Sequence, residues 1–347
     1  MLTSGRYANA GAVAVVKTVG AEQVLTSILK KIAKRFNQRG RNAASKRVFI
    51  AAFGKHPGWD DHIDDIGLET DVLVTVKRIL YIQGIGSNID SGSWDKLEDD
   101  QRLEKFGHVF VWCMNGDLVV GRLWSSRDGK GRSSYPMVVC VQCSKLSLPW
   151  VLTNILPRLE EIEQACIGTT SADDVHRIIE DARNQIRQLV SQDCEPARKI
   201  KLKCSHVLAQ LAELPEMGPN REGLHRILYH IDREIVHAGS GSGKGGELRP
   251  GLIRLPISAP AEQENVLLWT NFLLAKFGLN THILVIMPLR NCWIDIVIGE
   301  PQGLHLYCLR GSVSVVPLTS SIPYRLDSEF LAQTNQLIDD SKSDSKN

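Results

Sequence analysis

Hydrophobic and polar residues alternate along this chain with two periods, one typical of strands and one typical of helices. Short apolar runs bounded by turn residues predict strands at 47–54 (RVFIAAFG), 107–114 (GHVFVWCM), 118–124 (LVVGRLW) and 135–143 (YPMVVCVQC). The second and third runs are separated by Asn115, Gly116 and an aspartate, and an Asn-Gly pair supplies the positive φ angles that a tight hairpin turn needs. These two runs therefore predict a β-hairpin.

Two parts of the chain show helical spacing, one between the first and second predicted strands and one after the fourth. Apolar residues recur at helical spacing over 68–85, and the glycine- and serine-rich stretch 84–93 predicts a turn after that helix. Residues 149–236 predict further helices, broken near Gly168, at Pro196 and around 215–220.

The last third returns to short apolar runs. A helix is predicted over 260–278, with Gly278 as its C-terminal cap, and it precedes four predicted strands. The four predicted strands are 281–287, 292–299, 304–311 and 313–318.

The order of strands, helices and strands predicts an α/β or α+β fold, with a mixed β-sheet, flanking helices and a helical block in the middle of the chain. The predicted divisions are a basic extension with one amphipathic helix (1–46), an α/β region (47–148), a helical region (149–237), a Gly/Ser-rich linker (238–250), a second α/β region (251–326) and a polar tail (327–347).

Charge is distributed unevenly. The net charge of the 347 residues is +2, but residues 1–47 contain ten Lys or Arg against Glu22 alone, which gives +9 there and −7 for the rest. A mildly acidic body with a basic extension argues against a nucleic-acid-binding core domain. The helix predicted at 20–36 is interpreted as docked on the domain, as part of an upstream extension, or as a membrane-surface or targeting helix.

The cysteines and the apolar runs predict a cytoplasmic location. The eight cysteines show no disulfide spacing, no convincing signal peptide precedes them, and no apolar run approaches the roughly 20 residues that span a bilayer. We therefore expect free thiols and no membrane span.

Several motifs with a familiar appearance do not meet the requirements of their chemistry. The stretch GSGSGKGG has glycine after its lysine where a P-loop needs Ser or Thr, and it follows a helical pattern. Cys140 and Cys143 have redox or zinc spacing, but they lie in a predicted strand with no second pair of ligands nearby. No complete catalytic constellation is evident, so we expect a protein that is not an enzyme and has no cofactor.

The stretch FGKHPGWDDHIDD (53–65) is the exception. It offers His56, Asp60, Asp61 and His62 as imidazole and carboxylate ligands, so one interpretation is a metal-dependent hydrolase, with His56 and His62 as candidate metal ligands. The other interpretation is a rigid structural or binding loop. Glycines permit tight backbone angles there, Pro57 fixes φ, and either aspartate can cap backbone amides.

Three stretches resemble the TagF (ImpM) family of bacterial type VI secretion accessory proteins. The family's opening motif, similar to F-G-K-x-P-x-x-G-D-F, is matched by Phe53, Gly54, Lys55, Pro57 and Asp61, whereas Asp60 replaces its glycine and His62 its aromatic residue. The family's second landmark is a glycine–arginine pair before a strand that starts with an aromatic residue, proline and leucine. Here Gly131 and Arg132 form the pair and Tyr135, Pro136 and Met137 the strand start, with one additional residue between the two halves. The family's third landmark is a tryptophan followed by a Gly-Leu-Pro segment. Trp269, Gly278 and Leu279 resemble it, with Asn280 in place of the proline.

This resemblance implies a non-enzymatic, cytoplasmic regulatory or adaptor protein of a type VI-like secretion system. Members of the family control assembly of the contractile machine after translation, often as repressors that engage a forkhead-associated scaffold protein. We therefore expect a protein partner. We also expect the 54–65 loop and the 131–136 loop to lie close together, with Lys55 or Arg132 in a buried ion pair with Asp60 or Asp61.

Overall fold

The computed structural model describes residues 48–193, 204–236, 248–258 and 262–344. The chain divides into two units, residues 1–45 and residues 46–347, and the first lies outside the described residues. The predicted amphipathic helix at 20–36 and most of the predicted linker at 238–250 therefore also lie outside them.

A seven-stranded sheet forms the centre of the second unit. Its strands follow the order β1-β4-β3-β2-β6-β7-β5, and every pairing is antiparallel. The strands are β1 (Val48–Gly54), β2 (Gly107–Met114), β3 (Asp117–Ser125), β4 (Pro136–Ser144), β5 (Gly251–Pro256), β6 (Ile283–Pro288) and β7 (Trp293–Ile298). Helices pack on this sheet, so the predicted α/β class is confirmed.

The β2–β6 pairing joins strands from two distant parts of the sequence. Trp112 lies opposite Leu284, and His108 lies opposite Pro288. The strands before and after the helical block therefore belong to one continuous sheet. The predicted hairpin is also confirmed, because Met114 pairs with Asp117 across the turn.

The helix predicted over 68–85 lies on one face of the sheet. Thr70 caps α1 (Asp71–Val76) by accepting a hydrogen bond from the Leu73 amide at 3.2 Å. The chain continues without a break through a π-helical segment (Lys77–Gly86) into α2 (Ser87–Asp90). The shared core of this face contains Phe53, Phe110, Trp112, Leu123, Ile79, Leu80 and Leu306.

The predicted turn over 84–93 is wrong in its first half, where the backbone is helical. Gly84 allows close packing there instead. A Cβ atom at Gly84 would lie 2.1 Å from Leu306 Cδ1, so a larger residue would require the leucine side chain to move.

The helical block follows β4 along the chain. It contains α3 (Leu148–Asn154), α4 (Leu156–Ile167), α5 (Ala172–Asp193), α6 (Cys204–Ala212) and α7 (Glu222–His230), the last continued by a π-helical segment (Ile231–Ile235). Helix α4 packs on β3 and β4, and α5 packs on β1. The predicted breaks near Gly168 and around 215–220 are confirmed, whereas Pro196 lies outside the described residues.

Two further helices complete the described chain. Helix α8 (Glu262–Phe277) packs on β6, and α9 (Ser328–Asp344) packs on α6. Helix α9 forms within the predicted polar tail, where Asp327 accepts a hydrogen bond from the Phe330 amide at 2.7 Å and Ile338 is buried. Among the described helices, none is both long and apolar enough to cross a lipid bilayer.

The strands predicted at 304–311 and 313–318 are wrong. Residues Gly303–Leu309 form a 3₁₀-helix, and turns follow it. The reason is a buried arginine on β5, Arg254, whose guanidinium donates to the carbonyl oxygens of Cys308, Gly311 and Val316 at 3.2, 2.9 and 3.0 Å. These carbonyls point at one side chain, so they do not face a neighbouring strand.

Candidate functional site

The candidate site begins where β1 ends. Gly54 has φ +114°, a conformation that favours glycine, and a Cβ atom there would lie 2.3 Å from the Pro136 carbonyl oxygen. The next amide, that of Lys55, donates to the same carbonyl at 3.2 Å. The end of β1 is thereby fixed against the start of β4.

The loop that follows β1 folds back along the free edge of that strand. A turn forms where the Trp59 amide donates to the His56 carbonyl at 3.1 Å. The Ile63 amide then donates to the Gly54 carbonyl at 2.8 Å, and His62 forms a β-bridge with Lys55. This reversal places Asp61 and His62 beside Lys55.

The second loop is organised by Asp128, which lies between β3 and β4. Its Oδ1 accepts hydrogen bonds from the Lys130 and Arg132 amides at 3.0 and 2.9 Å, and its carbonyl accepts from the Gly131 amide at 2.9 Å. An aspartate before a glycine-rich turn is typical of such self-capped loops. The Gly129 amide donates to the Trp59 carbonyl at 2.6 Å, which joins the two loops.

Four charged side chains link the loops in an alternating network. Asp128 Oδ2 accepts from Lys55 Nζ at 2.6 Å and from Arg132 Nε at 2.7 Å. Arg132 Nη2 reaches across to the Asp60 carbonyl at 2.8 Å and to Asp61 Oδ1 at 3.1 Å. Lys55 Nζ also lies 3.6 Å from Asp61 Oδ1.

The network has a buried half and an exposed half. The side chains of Lys55 and Asp128 are 5% and 0% exposed, whereas those of Arg132 and Asp61 are 53% and 66% exposed. The buried pair cannot be screened by solvent and fixes the loops, while the exposed pair faces solvent at the surface.

The proximity of the two predicted loops is confirmed, but the predicted buried pair is wrong. Arg132 does pair with Asp61, in an exposed position. Asp60 is also exposed, and its carboxylate lies 3.7 Å from Lys130 Nζ. The buried carboxylate is that of Asp128, which was not among the predicted site residues. The sequence feature that could have indicated its role is the Asp-Gly-x-Gly turn that it begins.

Both carboxylates of the network are held in the ionised form. Burial raises the pKa of Asp128, but hydrogen bonds from Lys55 and from the Arg132 amide and guanidinium outweigh burial and lower that pKa below its ordinary value of 3.8. Removal from water also raises the pKa of Asp61, but the charges of Arg132, His62 and Lys55 bring it below 3.8. Neither group therefore serves as a proton donor at neutral pH.

His56 is engaged by the backbone through both ring nitrogens. Its Nδ1 accepts from the Gly58 amide at 3.1 Å, so Nε2 carries the proton and donates to the Cys166 carbonyl at 3.0 Å. Burial lowers the pKa of His56, which agrees with this neutral ring. The ring attaches the first loop to the end of α4, and a metal ion would have to displace one of these bonds.

His62 lies apart from His56 in a different environment. Its Nδ1 lies 3.2 Å from Asp61 Oδ1, and its ring packs at 5.1 and 5.8 Å from the rings of Tyr135 and Tyr81. Within the part of the chain that the structure describes, no group of three or more His, Cys, Asp or Glu side chains is arranged to hold a metal ion.

The remaining predicted site residues have structural positions. Pro57 follows His56 in the turn of the first loop, and Pro136 supplies the carbonyl that receives the Lys55 amide. Trp269 is fully buried on α8 and packs edge-to-face with Phe272 at 6.0 Å, so it belongs to the core beneath β6.

These features define a mixed α/β protein with an antiparallel seven-stranded sheet and two interlocked loops at one end of β1. Comparison with protein-family models gives no matching family, and comparison with curated proteins gives no match. Among solved structures, the chain is similar to PA0076 from Pseudomonas aeruginosa PAO1, solved as a crystal structure at 2.05 Å resolution. The two are 16% identical, with a TM-score of 0.30, over 44% of this chain and 69% of that chain.

Proposed function

We propose that this protein is a non-enzymatic regulatory or adaptor protein of a type VI-like secretion system, which acts in the cytoplasm by binding a protein partner. The resemblance of its motifs to the TagF family implies this role, and it makes a forkhead-associated scaffold protein the partner to test first.

One observation carries the proposal: the residues of two motif landmarks that lie far apart in the sequence interlock in a single network. Lys55 and Asp61 come from the first landmark and Arg132 from the second, 71 residues from Asp61. Their charges satisfy one another through Asp128 and through backbone carbonyls. Side chains used in this way shape a surface and leave no charged group free to react.

The exposed half of the network and the neighbouring Asp60–Lys130 pair supply the contact surface in this proposal. Arg132, Asp61, Asp60 and Lys130 lie on the two adjacent loops, with charges of both signs. An alternating pattern of this kind selects a partner by charge complementarity, and the rigid buried pair beneath it lowers the entropy that binding costs.

Pull-down of the forkhead-associated protein from the same organism by the full chain tests the proposal. Arg132→Ala removes the exposed contact to Asp61 and one of the two side-chain hydrogen bonds to the Asp128 carboxylate, but it leaves the Lys55–Asp128 pair in place. We therefore expect capture to weaken about tenfold, with a smaller fall in melting temperature than Asp128→Asn causes. Asp128→Asn should lower both capture and melting temperature, because the buried Lys55 loses its charged partner.

Arg158→Ala is the matched control. Arg158 is exposed and pairs with Glu161 at 2.7 Å on α4, so its loss removes a surface arginine without touching the loops. The proposal is wrong if the wild-type chain captures no component of the secretion machine, or if Arg132→Ala captures as much as Arg158→Ala does.

A further inference from the structure

A small cavity lies beside the first loop, between that loop and the helical segment that follows α1. Its volume is about 250 Å³, which is below the roughly 300 Å³ at which pockets for small organic molecules begin. It therefore has the size for one side chain. Its lining includes Gly54, His62, Asp65, Tyr81, Asp90 and Tyr135.

Three rings form the aromatic part of the lining. The Tyr81 and Tyr135 rings lie 5.6 Å apart, and the His62 ring lies 5.1 Å from Tyr135. Burial raises the pKa of Tyr81 and of Tyr135, so both phenols are uncharged at neutral pH. The faces of neutral aromatic rings attract cations through their quadrupoles.

The lining carries a negative charge, which is the sign that attracts a cation. Lys77 Nζ donates to both carboxylate oxygens of Asp65 at 2.6 and 2.5 Å, so these two charges cancel. Asp90 is exposed at the end of α2 and, among the described residues, takes part in no ion pair. Asp90 and Tyr135 line the same cavity, and the Asp90 charge adds to burial in raising the pKa of Tyr135. The lining thus retains one negative charge beside two aromatic rings.

An apolar rim adjoins the cavity. Ile82, which also lines it, is 55% exposed although it lies on the helical segment that packs on the sheet. The rim of the cavity is therefore apolar at this position.

We infer that this cavity receives a basic side chain of the partner protein, and that arginine is the preferred occupant. A planar guanidinium can stack on a phenol ring and donate to the Asp90 carboxylate at the same time. This inference rests on the proposed function, because it names the chemistry by which the partner would be held next to the charged loops.

Titration of the deuterated full chain with N-acetyl-arginine methylamide, followed by amide NMR shifts, tests the inference. We expect saturable shifts at Gly54, His62 and Gly86, with weaker or absent shifts for N-acetyl-citrulline methylamide, which has the same shape without the charge. Asp90→Asn should weaken binding about fivefold. Asp99→Asn is the control, since Asp99 is fully exposed and does not line the cavity.

The aromatic contribution is tested by two changes at one position. Tyr135→Phe keeps the ring and should retain binding, whereas Tyr135→Leu keeps apolar volume without a ring and should lose it about tenfold. Melting temperatures establish that each variant is folded, and Asp90→Asn alone decides the matter if Tyr135→Leu does not fold. Equal binding of the citrulline probe, or unchanged affinity in Asp90→Asn, would overturn the inference.

The outcomes separate this inference from the proposed function. If the arginine probe does not bind but the chain still captures the forkhead-associated protein, the inference is wrong and the proposed function stands. If the probe binds as expected but no secretion component is captured, the cavity is a cation site and the proposed function is wrong.

Discussion

Replacement of Asp295 by asparagine should strongly destabilise the protein. Asp295 on β7 receives two hydrogen bonds from Arg254, at 2.7 Å from Nε and 2.8 Å from Nη2, and both side chains are almost completely buried. Together with the three carbonyls that order the 3₁₀-helix, these oxygens accept every N–H of the guanidinium.

The magnitude follows from these contacts. Removing one partner of a buried ion pair costs about 3–5 kcal/mol, because the other charge stays buried without compensation. At about 2 °C per kcal/mol for a chain of this size, the melting temperature should fall by roughly 6–10 °C. Arg254→Met should cost more than Asp295→Asn, since three buried carbonyls would each lose a hydrogen bond of about 1 kcal/mol as well.

Urea unfolding followed by tryptophan fluorescence measures these free energies, and a double-mutant cycle tests the cause. Arg254→Met combined with Asp295→Leu leaves no buried charge, so the pair of changes should cost less than the sum of the single changes. The control is Arg158→Ala in an exposed pair, for which we expect less than about 1 kcal/mol. Additive costs in the cycle, or an unchanged midpoint for Asp295→Asn, would refute this account of the pair.

Three further predictions concern the interlocked loops. The folded-state pKa of Asp128 is lowered, so the contribution of this carboxylate to stability is complete above its ordinary pKa of 3.8 and is lost as the pH falls below 3.8. Between about pH 5 and 2, Asp128→Asn should therefore lose less unfolding free energy than wild type does. The pKa of His56 is lowered from 6.5, so its contribution to the free energy of unfolding is present above pH 6.5 and is lost on acidification. In denaturant titrations at pH 7 and 5, the free energy of unfolding of His56→Gln should therefore change less with pH than that of wild type. Gly54→Ala should cost at least about 2 kcal/mol, because a positive φ is combined with a clash at the Pro136 carbonyl. Gly116→Ala, with a positive φ in open space, should cost only about 1 kcal/mol; equal midpoints in urea for the two alanine variants would contradict the clash.

Much of the sheet could be predicted from the sequence because its strands carry local signals. The strands β1 to β4 are apolar runs bounded by glycine, asparagine or serine, and the Asn-Gly turn sets the hairpin register. The strand predicted at 304–311 is wrong because a tertiary contact overrides the local pattern. This run is as apolar as a strand, but a single arginine 50 residues earlier on β5 determines where its carbonyls point.

The candidate site was predictable only in part. The position of the two loops at strand ends was readable, and so was the availability of Lys55, Arg132 and Asp61 for pairing. Which carboxylate is buried was not readable, because burial depends on how the loops fold over each other. Asp128 looked like one polar residue in a polar loop, although its turn chemistry marked it as a residue that organises backbone.

The pairing of β2 with β6 has a consequence for how the chain is made. Strand β2 ends at Met114 and β6 begins at Ile283, so at about 5–20 residues per second the ribosome needs roughly 10–35 s to supply the second strand after the first. During that interval one edge of β2, with its apolar residues, stays unpaired in the nascent chain. Unpaired apolar edges are templates for aggregation, and contacts of such long sequence separation form slowly. Production of this protein should therefore depend on chaperone capacity during translation, and slower synthesis should lengthen the vulnerable period.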